Sequence, residues 1–311
     1  MKLVSLVVPV YFEEDCILRF IEEVDAVFKK LDNRYRHEFV FIDDGSEDKT
    51  VALIKQEAGN KPHVKLLELS YNHGKQLAVT AGIQHAQGDY LLYMDPDLQD
   101  PPEEIPRFLE EIEKGFDLVF GKREEKKDSF VNVQLSNLFW WVLEYFTGLN
   151  IPKGVAVMRI FNRRFAQQFL KYNEQSRFIE GMFMHVGMKQ TTLIIKQRER
   201  FAGVSKFNFK RKMRLAFDAI FDFSEIPLKM AVRLGFYLML SAFVALITIV
   251  VLRLFFIRFQ LGWPSIIITI IGATGILLFF IGLAAIYIGK IYKEVKARPL
   301  FSIKEMTNFH E

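Results

Sequence analysis

"GDYLLYMDPDLQDPPE" occupies residues 88–103. An apolar run that reads as a buried strand stops abruptly at three carboxylates, Asp95, Asp97 and Asp100, bracketed by prolines. Crowded like charges repel one another. Either the turn is solvated or something positive binds there. The same pattern of apolar run, polar turn and helical stretch recurs along the N-terminal part of the chain. "LVSLVVPV" (3–10) is continuously apolar, as a strand buried on both faces requires, and a helical pattern follows from Asp15 to about Leu31. "EFVFIDD" (38–44) is a second strand, and "SEDKTVALIKQEA" (46–58) opens a helix with Ser46 as N-cap and Glu47 and Asp48 in its first turn. "HVKLLELS" (63–70) is a third strand and "GKQLAVTAGIQHA" (74–86) a helix. "YLLYMD" (90–95) is the fourth strand, "PPEEIPRFLEEIEKG" (101–115) a helix and "DLVFG" (117–121) the fifth strand. This alternation predicts an α/β domain with a mostly parallel sheet and helices on both faces. Ligands of such sheets lie beyond the carboxyl ends of the strands. "DDGS", "SYNHGK" and "DPDLQD" all fall at such ends, so polar motifs gather at one edge. Asp95 and Asp97, flanking one proline, offer hard oxygen ligands suited to Mg2+ or Mn2+.

The chain has 311 residues, enough for one large domain or two. It is 50% apolar and 25% charged, which excludes a disordered chain. A net charge of +4, spread along the sequence, gives no reason to expect a nucleic-acid partner. Cys16 is the single cysteine, so no intramolecular disulfide forms, which fits a reducing compartment. The first residues turn acidic before an apolar stretch of signal-peptide length develops, so no secretory signal is expected.

After Pro227 the composition changes. Leu234–Leu252 and Ser265–Ile288 carry no formal charge, and each is close to the ~20 residues that cross a bilayer. The link "RLFFIRFQLGWP" (253–264) is short, so the two spans form a hairpin. Lys229 and Arg233 precede it, and Lys290, Lys293, Lys296 and Arg298 follow it. The link holds only Arg253 and Arg258. Basic flanks stay cytoplasmic, which puts the N-terminal domain in the cytoplasm. In "FNFKRKMRLAFDAIFDFSEIPLK" (207–229), Met213, Ala216, Phe217, Ile220 and Phe221 make an apolar stripe behind Lys210, Arg211, Lys212 and Arg214. Such a helix lies in the membrane interface with its cations on lipid phosphates; the alternative is packing on the soluble domain. The expected organisation is a catalytic domain over 1–206, amphipathic juxtamembrane helices over 207–228, a transmembrane hairpin over 229–290 and a cytoplasmic tail over 291–311.

"VVPVYFEE", "DDGSEDKT", "NHGKQLAVTAGI", "DPDLQDPPE", "RFAGVSKFN" and "EVKARP" occur here in the order seen in family 2 glycosyltransferases that charge a polyprenyl phosphate. The chain resembles the bactoprenol (undecaprenyl-phosphate) glucosyltransferase branch over nearly its whole length. The resemblance implies a Rossmann-like, GT-A nucleotide-diphospho-sugar transferase domain. By it, Pro9, Tyr11, Glu13, Asp43, Asp44, Lys75 and Asp95 bind the sugar nucleotide, and Asp95, Asp97 and Gln99 hold the metal, Mg2+ or Mn2+. Arg123 lies near the phosphates. Arg200, Ser205 and Lys206 belong to a loop closing over donor and acceptor phosphate and, with Asp97 and Arg123, form the catalytic set. The implied reaction moves one hexose, glucose first, from a UDP-sugar to undecaprenyl phosphate with inversion. It takes place at the cytoplasmic face of a bacterial inner membrane, in a homo-oligomer with a flippase downstream. Another donor such as UDP-GlcNAc, or a catalytically silent sugar-nucleotide-binding subunit, stays open.

Two positions depart from the family pattern. Phe12 stands where the family usually has asparagine. Val157, in "IPKGVAVMRIFNRR" (151–164), stands where the family has an aspartate proposed as catalytic base, although Arg159 is retained. "QRERF" (197–201) resembles the Gln-x-x-Arg-Trp signature of processive synthases but lacks the tryptophan, and two spans are too few for a polymer channel.

Overall fold

The computed structural model describes residues 1–31, 34–124, 144–146, 148, 154–175, 177–198, 221, 224–255 and 262–309. The five strands expected from the apolar runs are present as β1 (Lys2–Val10), β2 (Tyr35–Asp43), β3 (Val64–Leu69), β4 (Tyr90–Tyr93) and β5 (Leu118–Arg123). Three more join them: β6 (Val155–Asn162), β7 (Gln190–Ile195) and β8 (Ile303–Thr307). Together they form one sheet in the order β7-β5-β6-β4-β1-β2-β3-β8. β1 runs parallel to β2 and β4, β2 to β3, and β5 to β7. β6 and β8 run antiparallel to their neighbours. Helices α1 (Ile17–Lys29), α2 (Thr50–Asn60), α3 (Lys75–His85), α4 (Ile105–Glu113), α5 (Arg163–Phe169) and α6 (Ile179–Val186) connect the strands. In β1 every residue from Val4 to Val10 is buried, as its unbroken apolar run requires. α1 turns Ile17, Phe20, Ile21, Val24, Val27 and Phe28 inward at helical spacing, onto Phe39 and Phe41 of β2.

The strand order positions the site. From β1 the chain builds outward through β2 and β3, then crosses back through α3 to lay β4 on the other side of β1. The order in which strands are added reverses between β1 and β4, which are parallel, and such a switch point opens a crevice at the carboxyl ends of the strands. β6 enters between β4 and β5 in the opposite sense. Its first half therefore lies at that same edge, with Arg159 opposite Tyr93 and Val155 opposite Lys122.

The helix after β2 begins later than the sequence predicts. Ser46 does not cap it: the Ser46 hydroxyl accepts the Phe12 N–H at 3.1 Å, and the Ser46 N–H goes to the Asp43 carboxylate. Residues 45–48 thus form a turn over the end of β1, and the helix starts at Thr50, whose N–H donates to Asp48 Oδ1 at 3.1 Å.

By packing, residues 1–144, 149–212 and 298–311 form one compact unit, and 145–148 with 213–297 a second. The second contains α7 (Ile226–Phe255) and α8 (Trp263–Val295). Both are long and apolar enough to cross a membrane. Large apolar side chains such as Phe236, Leu254, Leu277 and Phe279 lie exposed along them. The Tyr287 hydroxyl donates to the Ser224 carbonyl at 2.9 Å, so α8 returns to the start of α7. The chain then rejoins the first unit: β8 pairs antiparallel with β3, its Thr307 opposite Leu66. No apolar run announces this strand, since its middle residues face solvent.

Of the four described non-glycine residues with left-handed backbone, Phe12, Leu98, Ala297 and Asn308, the first and last differ in their suitability for it. Asn308 has φ 61°, and asparagine tolerates that region. Its Nδ2 donates to the carbonyls of Ala58 at 2.8 Å and Val64 at 2.9 Å, joining the end of α2 to the start of β3. Asn308→Ala removes both bonds and strains the backbone, and should lower stability by ~2 kcal/mol in chemical denaturation. Asn308→Gly, which relieves the backbone term, should cost ~1 kcal/mol less. Equal losses in the two variants would show that the backbone term is absent.

Phe12 has φ 56° and is 41% exposed. A phenylalanine gains little there to offset a left-handed backbone. Phe12→Asn should therefore raise stability by ~1 kcal/mol, read as a higher denaturation midpoint at unchanged slope. A fall in the midpoint would mean that the edge contact between the Phe12 and Tyr11 rings, 4.4 Å between centroids, outweighs the strain.

Candidate active site

Four chain segments meet at the switch point. The end of β1 supplies Pro9, buried, and then Tyr11 and Glu13, both half-buried. The Glu13 N–H donates to Thr50 Oγ1 at 2.9 Å, and Glu13 Oε2 receives the Cys16 thiol at 3.2 Å. Burial first, and the Glu13 carboxylate second, push the Cys16 thiol far above its ordinary range. Cys16 is accordingly an inert packing residue rather than a nucleophile.

The end of β2 supplies Asp43 and Asp44, 3% and 4% exposed. Each spends its carboxylate on backbone donors. Asp43 Oδ2 accepts the N–H groups of Gly45 and Ser46, both at 3.1 Å. Asp44 accepts those of His73 at 2.7 Å and Gly74 at 2.9 Å. Burial raises both carboxyls above their usual range, against these bonds. Gly45 takes φ +83°, and a Cβ there would stand 3.0 Å from the Asn72 backbone nitrogen, so the turn passes directly under the loop before α3. Asp44 thereby fixes the start of α3, and with it Lys75.

Lys75 reaches across the switch point. Its Nζ lies 2.6 Å from Asp95 Oδ2, just beyond β4. Desolvation opposes the charge, but the Asp95 carboxylate and the Tyr93 hydroxyl hold the lysine protonated well above its usual range. Asp97 is 6% exposed, and its Oδ1 accepts the Gln99 N–H at 3.1 Å. Between them Leu98 adopts φ 58° with its side chain buried, which bends "DPDLQD" back over the strand end. Asp100 is structural: Oδ2 accepts the Met158 N–H at 2.8 Å and Oδ1 the Gln197 amide at 2.6 Å. It ties the "DPDLQD" turn to β6 and to the segment after β7.

β6 brings up the remaining groups. Val157 is half-buried, between buried Ala156 and Met158. Arg159, 2% exposed, lies among the rings of Tyr93, Phe120 and Phe183, 5.2–5.5 Å from their centroids. Its Nε donates to the Val157 carbonyl at 3.0 Å, and Nη2 stands 3.6 Å from Glu180. Its Nη1 finds no hydrogen-bond partner among the described residues. Nη2 also donates to the Ala156 carbonyl at 3.3 Å, so two backbone carbonyls and three ring faces surround the buried cation. Arg123, at the end of β5, is exposed, its N–H held by the Gly154 carbonyl at 2.8 Å.

The structure thus gathers Pro9, Tyr11, Glu13, Asp43, Asp44, Lys75, Asp95, Asp97, Gln99 and Arg123 at the carboxyl edge of one sheet. Arg200, Ser205, Lys206 and the amphipathic stretch that follows them lie outside the described residues, apart from Phe221 and residues 224–229. Sequence reasoning missed the Lys75–Asp95 pair and the fastening role of Asp100, because both depend on partners distant along the chain.

Residues 5–173 match the family model for Glycosyl transferase family 2. The uncharacterized glycosyltransferase YkcC of Bacillus subtilis is 33% identical over 302 residues, 97% of this chain and 93% of that protein. The SfII prophage-derived bactoprenol glucosyl transferase of Shigella flexneri is 34% identical over 303 residues, 97% of each chain. Among solved structures, glucosyl-3-phosphoglycerate synthase from Mycobacterium tuberculosis, in complex with Mn2+, uridine-diphosphate and phosphoglyceric acid, aligns with TM-score 0.49 at 15% identity, covering 71% of this chain and 76% of that one. The mostly parallel α/β sheet and the family match bear out the GT-A-like fold expected from the motifs. The chain belongs to glycosyl transferase family 2, and its similarity to a bactoprenol glucosyl transferase covers 97% of its length.

Proposed function

We propose that this protein transfers a single hexose, glucose in the first instance, from a UDP-sugar to undecaprenyl phosphate. The observation that carries the reading is the convergence of Asp95, Asp97 and Lys75 at the switch point of a family 2 sheet whose chain also bears two membrane-length helices. The full-length similarity to bactoprenol glucosyl transferases supports the lipid acceptor.

In this reading the end of β1 and the 43–46 turn form the nucleoside side of the crevice, with Tyr11 and Glu13 toward the base and ribose. The donor set fits a hard divalent cation: Asp95 and Asp97 are carboxylates beyond one strand end, with one oxygen of each engaged by Lys75 and by the Gln99 N–H. Mg2+ or Mn2+ held by Asp95 and Asp97, with Gln99 beside them, would offset the charge of the diphosphate. Lys75 keeps Asp95 oriented and adds a fixed cation beside it. Arg159 contributes through its field rather than by contact, since it is buried. Arg123, with Arg200, Ser205 and Lys206 by resemblance, meets the phosphates. One oxygen of the acceptor phosphate attacks the anomeric carbon. The bond from that carbon to the β-phosphate oxygen breaks, UDP departs with the electron pair, and the configuration inverts. The attacking oxygen is already ionised near neutral pH, so no side chain need remove a proton from it. That is how a chain with Val157 at the usual aspartate position retains activity.

The proposed domain division follows: a catalytic domain over 1–206, a juxtamembrane segment over 207–228, a hairpin over 229–290 and a tail over 291–311 that includes β8. Residues 149–212 and 298–311, on either side of the second unit's long helices, belong to one packed unit, which supports an even number of membrane crossings. A two-span hairpin meets this condition, and its basic flanks put the catalytic domain on the cytoplasmic side of a bacterial inner membrane.

Transfer of labelled glucose from UDP-glucose to undecaprenyl phosphate by the purified full chain tests the reading. Asp97→Ala should abolish transfer while leaving the circular dichroism unchanged. EDTA should stop the wild type, and Mn2+ or Mg2+ should restore it. Full turnover in EDTA would remove the metal from the mechanism.

An essential base contributes ~10²–10⁴-fold to rate. If none is needed, Val157→Asp should change turnover by less than ~10-fold, about 1.4 kcal/mol of barrier. A wild type inert with every UDP-sugar but revived by this substitution would instead favour a silent sugar-nucleotide-binding subunit.

A further inference from the structure

Three more side chains converge at the far edge of the sheet, near the amino ends of the strands. Asp25 lies on α1, His37 near the start of β2 and His63 just before β3. The ligating atoms of these three lie within 4.8 Å of one another. His37 Nε2 is 2.8 Å and His63 Nε2 3.2 Å from the same oxygen, Asp25 Oδ1. Along β2 from His37 to Asp43 the strand runs ~20 Å at ~3.3 Å per residue, so this cluster is separate from the transfer site. Nothing in the proposed reaction uses it.

We propose that Asp25, His37 and His63 bind a transition-metal ion of the Zn2+ class through two imidazole nitrogens and one carboxylate oxygen. Bonds of ~2.0–2.2 Å in tetrahedral array put ligand atoms ~3.3–3.5 Å apart. The two separations from Asp25 Oδ1, 2.8 and 3.2 Å, open to that by a few tenths of an ångström, and the two imidazole nitrogens, within 4.8 Å of each other, close onto the ion by side-chain rotation. Two imidazoles with a carboxylate select Zn2+, Co2+ or Ni2+ over Mg2+, which prefers oxygen alone. Three protein ligands leave the fourth position to water, which reaches the site past His63, whose side chain is 35% exposed.

The surroundings are already arranged to hold the ligands. The His37 ring stacks on Phe28 at 4.3 Å and 16°, which fixes its plane. The Lys61 ammonium lies 3.0 Å from Asp25 Oδ2 and holds the carboxylate by the oxygen that the metal does not use. Burial alone would raise the Asp25 carboxyl, but bonds from His37, His63 and Lys61 keep it ionised well below its usual range. The charge on Lys61 also weakens cation binding, so the site is an exchanging one. With metal bound, α1, β2 and the turn before β3 are joined through a single ion.

Co2+ titration of the purified full chain, followed by visible absorption, tests this. Nitrogen-rich tetrahedral coordination should give a d–d band that saturates at one equivalent and is displaced by Zn2+. Zn2+ should also raise the thermal midpoint. Asp97→Ala should keep the band, because the transfer site is oxygen-only. His63→Gln, at an accessible position that should not disturb folding, should weaken Co2+ affinity by more than ~10-fold, since even outer-shell changes cost that much. Asp25→Asn should do the same. Absence of a band in the wild type would overturn the proposal, leaving a hydrogen-bonded cluster only. A band retained in His63→Gln would overturn the ligand assignment.

Discussion

A carboxylate buried at a strand end must be met by donors, and most of the architecture around the crevice follows from that requirement. Asp43, Asp44, Asp97 and Asp100 are each no more than 6% exposed. An ionised group so placed is costly unless hydrogen-bonded. The chain supplies backbone N–H groups in tight turns: Gly45 and Ser46 for Asp43, His73 and Gly74 for Asp44, Gln99 for Asp97, Met158 for Asp100. Each bond draws a distant segment to the same edge. The acidic motifs therefore organise the site as well as line it.

Asp95 stands apart. It is the more accessible of the Asp95–Asp97 pair, and its partner is a side-chain cation rather than the backbone. A lysine ammonium on a carboxylate that is also suited to a divalent cation sets up competition between two positive charges. The Lys75 side chain remains 42% exposed, so the pair is open to an incoming ligand. Asp44 is too firmly bonded to make a comparable exchange.

Much of this was legible in the sequence. β1 to β5 are continuous apolar runs because they are buried on both faces, and the site motifs follow them because ligands meet parallel sheets at carboxyl ends. What stayed hidden depends on contacts between distant residues. Ser46 has the composition of a helix cap, yet its hydroxyl is taken by Phe12, so the helix starts at Thr50. Asp100 shares the acidic run with Asp95 and Asp97 but is a fastener. β8 carries no periodic signal because its three middle residues are all exposed. His37 and His63 sit 26 positions apart (63 − 37), with no ligand spacing to mark them, and meet only because β2 and β3 are neighbours.

The return of the chain to the sheet governs how the protein is made. β8 emerges from the ribosome only after both long apolar helices have been synthesised. Until then β3 is an uncovered edge, and the carbonyls of Ala58 and Val64 lack the Asn308 amide that satisfies them. An open edge invites pairing with other chains. Completion of the sheet is thus deferred until both long apolar helices exist, so the order of translation makes the second unit a prerequisite for closing the first.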